Sequence, residues 1–155
     1  MQSSLLQRNF RVSAASFASD GPKMRYVDEL PKHRKISCGE YLGKRLEQVG
    51  VSSYFTIPGD FTLSLLDELL KSPSLRMVGC CNELNAGYAA DGYSRVTGKL
   101  SVAIVTYCVG GLSIVNAAAG GYSDDLPMLI ISGGPNTNDS AQRHVIHHVS
   151  TTYIK

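Results

Sequence analysis

Three places in the sequence gather residues able to move protons. Asp60 stands in a Pro58-Gly59-Asp60 turn, just before an apolar helical run. Glu83 follows the Cys80-Cys81 pair and opens a run rich in small residues. His144, His147 and His148 fall within five residues of one another. Carboxylates and imidazoles are the groups used by general acid–base catalysis near neutrality. Each also has an ordinary reading. Asp60 suits an N-cap that accepts a backbone N–H at a helix start. Glu83 suits the positive end of a helix dipole, with Leu84 and Ala86 beside it implying partial burial. Spacings of three and four put the three histidines near one helical face. There a solvated cluster, an acid–base pair and a zinc site are alternatives. Zinc is disfavoured, since no cysteine lies near and no H-E-x-x-H occurs.

The elements that must position these groups follow from periodicity. Gly39 to Val49 places Leu42, Leu46 and Val49 on one helical face. Ser53 to Ile57 is β-branched and aromatic, a strand that stops at Pro58-Gly59. Phe61 to Leu70 reads as a helix, Leu75 to Cys80 as a short strand, and Asn82 to Val96 as a helix of small residues. Ala86, Gly87, Ala89, Ala90 and Gly92 there permit close approach of another backbone, at about 1 kcal/mol of helix propensity per glycine. Leu100 to Tyr107 is a continuous apolar strand of the doubly buried kind. Gly110-Gly111 opens a fourth helix, and Pro127 to Ser132 is a further buried strand. Alternating strands and helices predict an α/β fold: an open, doubly wound, mostly parallel sheet with helices on both faces. Ligands of such sheets sit beyond the carboxyl ends of the strands. The loops there begin at Pro58, Cys81, Tyr107 and Gly133. Neither G-x-G-x-x-G after a strand nor a Walker A sequence occurs.

Composition narrows the class. The 155 residues are 43% hydrophobic and 18% charged, a globular balance. A net charge of +2 gives no basic surface for nucleic acid. The longest apolar stretch, Val102 to Val109, is far too short to span a bilayer. Cys38, Cys80, Cys81 and Cys108 show no C-x-x-C spacing, and Cys80 and Cys81 point oppositely if both lie in a strand. They read as reduced thiols packed like small hydrophobes. Residues 1–37 carry seven bases and three acids. The first nineteen residues hold no acid, five serines and two arginines, with Leu6, Phe10 and Phe17 opposite Arg8 and Arg11 on a helical wheel. That pattern is expected of an organelle transit peptide, for the mitochondrial matrix or another organelle, with an untargeted cytoplasmic chain as the alternative. The expected division is therefore an extension over 1–36 and a folded domain over 37–155.

Four motifs in order carry a family resemblance. They are IPGDFTLSLLDELL at 57–70, NELNAGYAADGYSRVTG at 82–98, VGGLSIVNAAAGGYSDDLPMLIISGGPNTND at 109–139, and IHHV at 146–149. The chain resembles the N-terminal portion of the thiamine diphosphate-dependent 2-oxo acid decarboxylases, the pyruvate decarboxylase family of plant and algal type. The resemblance implies decarboxylation of pyruvate to acetaldehyde and carbon dioxide. It implies that Glu83 hydrogen-bonds a pyrimidine nitrogen of the cofactor and promotes the tautomer that activates the thiazolium carbon. Asp60 would help to protonate the intermediate left after carbon dioxide departs. His147 and His148 would orient substrate and shuttle protons. Thr106, Gly110 and Gly111 fall where the family brings backbone to the cofactor. Two side details differ, Val149 after the histidines and Tyr107-Cys108 in the third loop.

Family members are much longer, and a later domain holds magnesium and the diphosphate through a G-D-G…N-N signature. The resemblance therefore implies a C-terminally incomplete pyrimidine-binding domain, inactive alone, whose full-length relatives are homodimers or homotetramers. Decarboxylation of another 2-oxo acid, such as indolepyruvate, is one alternative. A non-catalytic module that pairs with full-length subunits is another.

Overall fold

Four strands and six helices alternate along residues 35–142, the part of the chain described by a computed structural model. Helix α1 (Cys38–Gln48) starts at Ser37, whose hydroxyl accepts the Glu40 N–H at 2.9 Å. Strand β1 (Ser53–Thr56) leads through the Pro58-Gly59 turn to α2 (Leu63–Leu69) and then β2 (Arg76–Gly79). Helix α3 (Glu83–Thr97) returns the chain to β3 (Ser101–Val105). Two short helices, α4 (Val109–Ser113) and α5 (Val115–Ser123), precede β4 (Met128–Ser132) and α6 (Thr137–Gln142).

All pairings are parallel and the strand order is β2-β1-β3-β4. From β2 the chain crosses back over β1 to reach β3. The connections leaving β1 and β3 therefore run to opposite sides of the sheet and open a crevice between their carboxyl ends. Alternation along the strands separates two cores. Tyr54, Val102 and Ile104 face Leu46, Leu66 and Leu69 of α1 and α2. Phe55, Ala103 and Val105 face Ala86 and Ala90 of α3, with Ile114 and Ala117 behind them. The doubly wound parallel sheet with helices on both faces is as expected.

The second core is tight because its residues are small. A methyl placed on Gly87 would lie 2.6 Å from both Ala117 Cβ and Ile114 Cγ1. The small-residue helix read from the sequence thus does what its composition requires, bringing α3 against α5.

Several expectations are corrected. Asp60 is not an N-cap: it lies in a turn, and α2 starts three residues later at Leu63, after Thr62. The apolar run at Gly110 forms two helices, interrupted at Ile114. Helix α6 follows β4 where the sequence pattern marks only a loop from Gly133 onward. Cys80 and Cys81 lie beyond β2, which ends at Gly79, so strand alternation does not separate them. Cys38 and Cys81 are exposed rather than packed: Cys38 opens α1, and Cys81 lies in the bend that precedes the N-cap of α3. Cys80 is half-buried, and burial pushes its thiol up from the ordinary value. The transit-peptide reading of residues 1–19, the boundary at 36–37 in its first part, and His144, His147 and His148 lie outside or at the margin of the described residues. Among the described residues, no helix is long and apolar enough to cross a membrane.

Candidate functional site

Glu83 is placed by a reciprocal pair of asparagines. Asn82, the N-cap of α3, accepts the Asn85 N–H through its side chain at 2.8 Å. The Asn85 side chain accepts the Cys81 N–H at 3.2 Å. This arrangement satisfies donors on both sides of the helix start and fixes Glu83 as the first helical residue. Its side chain is half-buried.

The loop after β3 comes up to meet it. Cys108 adopts φ 53° and ψ −85°, a region strained for a residue with a Cβ. The turn brings buried Gly110 beside the glutamate: a methyl there would lie 3.3 Å from Glu83 Oε1 and 3.1 Å from Thr106 Cγ2. Gly110 therefore presents bare backbone to the carboxylate. Gly111, one step further, faces Ser132 instead, with a would-be methyl 3.4 Å from its hydroxyl.

The loop after β1 closes the other side. A methyl on Gly59 would lie 2.5 Å from Thr106 Cβ, so the Pro58-Gly59-Asp60 turn sits directly on the β3 loop. The next residue, Phe61, sets its ring edge on Tyr107, with centroids 5.4 Å apart. A methyl on Gly133 would come 2.6 Å from the Phe61 carbonyl oxygen, which brings the loop after β4 to the same place. Ser132 completes the seam by donating to the Thr106 carbonyl at 3.3 Å.

Glu83, Thr106, Gly110 and the turn carrying Asp60 therefore converge at the carboxyl ends of β1 and β3, where the sheet topology opens its crevice. Asp60 is exposed at the rim of this cluster. His147 and His148 lie outside the described residues. Two contributors are not singled out by the sequence, Asn85 and Thr62, whereas Gly133 stands where the fourth loop is expected. The N-E-L-N spacing was the available signal for Asn85. Among the described residues no group of histidine, cysteine, aspartate or glutamate side chains is arranged to hold a metal ion.

Residues 36–154 match the family described as "Thiamine pyrophosphate enzyme, N-terminal TPP binding domain". The chain belongs to this family. Its relatives among such enzymes include pyruvate decarboxylase 2 of Oryza sativa subsp. japonica, 58% identical over 114 residues, covering 74% of this chain and 19% of the relative. Pyruvate decarboxylase 1 of Pisum sativum is 56% identical over 119 residues, covering 74% of this chain and 20% of the relative. Pyruvate decarboxylase 2 of Arabidopsis thaliana is 54% identical over 112 residues, covering 72% and 18% respectively. The chain spans about a fifth of the length of the curated relatives it matches. The likeness to plant pyruvate decarboxylases read from the four motifs is thereby borne out, as is the α/β fold of a thiamine pyrophosphate-binding N-terminal domain.

Proposed function

We propose that this chain supplies the pyrimidine-facing wall of a thiamine diphosphate site in a non-oxidative decarboxylase that converts pyruvate to acetaldehyde and carbon dioxide. The observation that carries the reading is the half-buried Glu83 carboxylate held against the Gly110 backbone at the switch point of the sheet. A flat heteroaromatic ring suits a wall made of glycine backbone, one carboxyl group and the small Thr106 side chain. In this reading Glu83 holds a ring nitrogen of the cofactor's aminopyrimidine, flanked by Thr106, Gly110 and Gly111. When bound, thiamine diphosphate supplies the carbon nucleophile and electron sink that a 2-oxo acid needs to lose carbon dioxide.

The chain's own residues then divide the proton work. Glu83 keeps a proton at the ring nitrogen and so selects the ring's tautomer. Asp60, on the rim, delivers a proton to the carbon that carbon dioxide has left. His147 and His148 orient the 2-oxo acid and relay protons. As the family resemblance implies, magnesium and the diphosphate would be held by a later domain of the longer chains. No step assigned here depends on that ion.

Exposed Tyr88, Leu112 and Val115 lie on α3, α4 and α5, in the helix layer that carries Glu83 and Gly110. They support pairing of this layer with a second copy, as a homodimer or within a homotetramer.

The test is Glu83→Gln in a complete decarboxylase chain containing this segment. It is expected to slow deuterium exchange at the cofactor's reactive carbon by about 10²-fold or more. Exchange at the unsubstituted rate would overturn the role given to Glu83.

A further inference from the structure

A threonine at a helix start ordinarily turns its hydroxyl forward to accept an N–H of the first turn. Thr62 stands at the start of α2 and makes no such cap. Its hydroxyl reaches backward instead, donating to the Gly59 carbonyl at 3.0 Å and accepting the Gly59 N–H at 3.2 Å. Its own N–H donates to the same carbonyl at 2.8 Å. One side chain, 1% exposed, thus holds both backbone polar groups of Gly59. The helix forgoes that cap so that the preceding turn is clasped.

The residues enclosed by the clasp are Asp60 and Phe61. Gly59 is fixed against Thr106 by the missing Cβ, and Phe61 is fixed by Tyr107 and the Gly133 backbone. Asp60 is the exposed residue between these two anchors, so the backbone from which its carboxyl group extends is set by the turn. We infer that Thr62 is a positioning residue, whose hydroxyl locks the Gly59–Thr62 turn and thereby sets where the Asp60 carboxyl group stands at the mouth of the crevice. The consequence for catalysis rests on the proton-transfer role proposed for Asp60, whereas the clasp itself does not.

Hydrogen exchange on the full chain tests the clasp. The Gly59 amide lies outside regular secondary structure, yet it is expected to exchange about tenfold or more slowly than in an unstructured peptide. Thr62→Val should remove most of that protection while the amides of β1 and β3 keep theirs, and Thr62→Ser should restore it. An unprotected Gly59 amide in the unsubstituted chain overturns the inference, as does protection that survives Thr62→Val. If Thr62→Val unfolds the chain, every amide loses protection together, and the unsubstituted and Thr62→Ser values decide.

A complete decarboxylase chain carrying the same substitutions tests the consequence. Thr62→Val should lower kcat and displace its pH profile in the direction set by Asp60→Asn, with KM nearly unchanged and recovery in Thr62→Ser. If Asp60→Asn lowers kcat and Thr62→Val does not, the positioning role falls. If Asp60→Asn has no effect while the exchange pattern holds, the role of Asp60 falls and the clasp stands.

Discussion

Tyr54 and Glu83 illustrate opposite treatments of a polar side chain. Glu83 is kept half-buried at a helix start, with a glycine opposite it whose missing Cβ leaves backbone against the carboxylate. Tyr54 is fully buried between β1 and the α1–α2 layer, and its hydroxyl has no hydrogen-bond partner among the described residues. An unpaired buried hydroxyl costs about 1–3 kcal/mol of desolvation, while the ring contributes packing. Tyr54→Phe keeps the ring and removes the cost, so it is expected to stabilise the chain by about 1 kcal/mol in urea unfolding. The pH dependence has a definite sign. Burial pushes the Tyr54 phenol above its ordinary value, so the folded chain retains a proton that the unfolded chain releases. Stability is therefore unaffected well below about pH 10 and falls as pH rises above it. Tyr54→Phe should flatten that alkaline decline. A less stable variant would show that the hydroxyl finds a partner, and an unchanged slope that the phenol is not held above its ordinary value.

At the scale of elements, α3 contains two interior glycines with opposite roles. Gly87 faces α5 so closely that a methyl would meet Ala117 Cβ at 2.6 Å, whereas a methyl on Gly92 meets nothing within 4 Å among the described residues outside its own helix turn. Helix propensity favours alanine over glycine by about 1 kcal/mol at either site. At Gly92 nothing opposes that gain, so Gly92→Ala should stabilise by about 1 kcal/mol. At Gly87 overpacking costs about 1–3 kcal/mol and wins, so Gly87→Ala should destabilise despite its better propensity. Chemical denaturation of the two variants side by side checks the pair of signs.

The same helix shows what was legible in the sequence. Its existence, its small-residue face and its place between two buried strands all follow from periodicity and composition. Which glycine touches a neighbour does not, because that depends on the strand order β2-β1-β3-β4, a long-range choice absent from any local window. The site divides in the same way. Asp60 and Glu83 could be found because they follow strand ends. The N-cap reading of Asp60 failed because the helix start moved to Leu63, where tertiary contacts of the turn outweigh the local capping preference. Thr62 escaped notice because its hydroxyl serves the residue three positions behind it rather than the helix ahead.

For the whole molecule, the two helical layers differ in what fills them against the sheet, while both leave large apolar residues exposed, Tyr41 and Leu63 among them on the α1–α2 side. On the α1–α2 side the large aliphatics Leu46, Leu66 and Leu69 are turned inward and buried. On the other side small residues fill the space against the sheet, and large apolar residues are turned outward: Tyr88, Leu112, Val115 and Tyr122 are all exposed, Leu112 to 64%. Four large apolar residues exposed on the layer that carries Glu83 and Gly110 suit a further apolar surface there. Self-association through this layer is therefore expected, and it would place Glu83 and Gly110 beside the contact rather than on a free face. Sedimentation of the full chain over a range of concentrations should show a mass rising above that of one copy. Leu112→Glu should return it toward a single copy, because burying an unpaired carboxylate in an apolar contact is unfavourable. Leu112 belongs to neither core among the described residues, so the variant's circular dichroism and Tm should stay close to those of the unsubstituted chain. An unsubstituted chain that sediments as one copy throughout would show that this layer needs a different surface. A Leu112→Glu chain that still associates would move the contact elsewhere, and with it the argument that the candidate site lies at the edge of an interface.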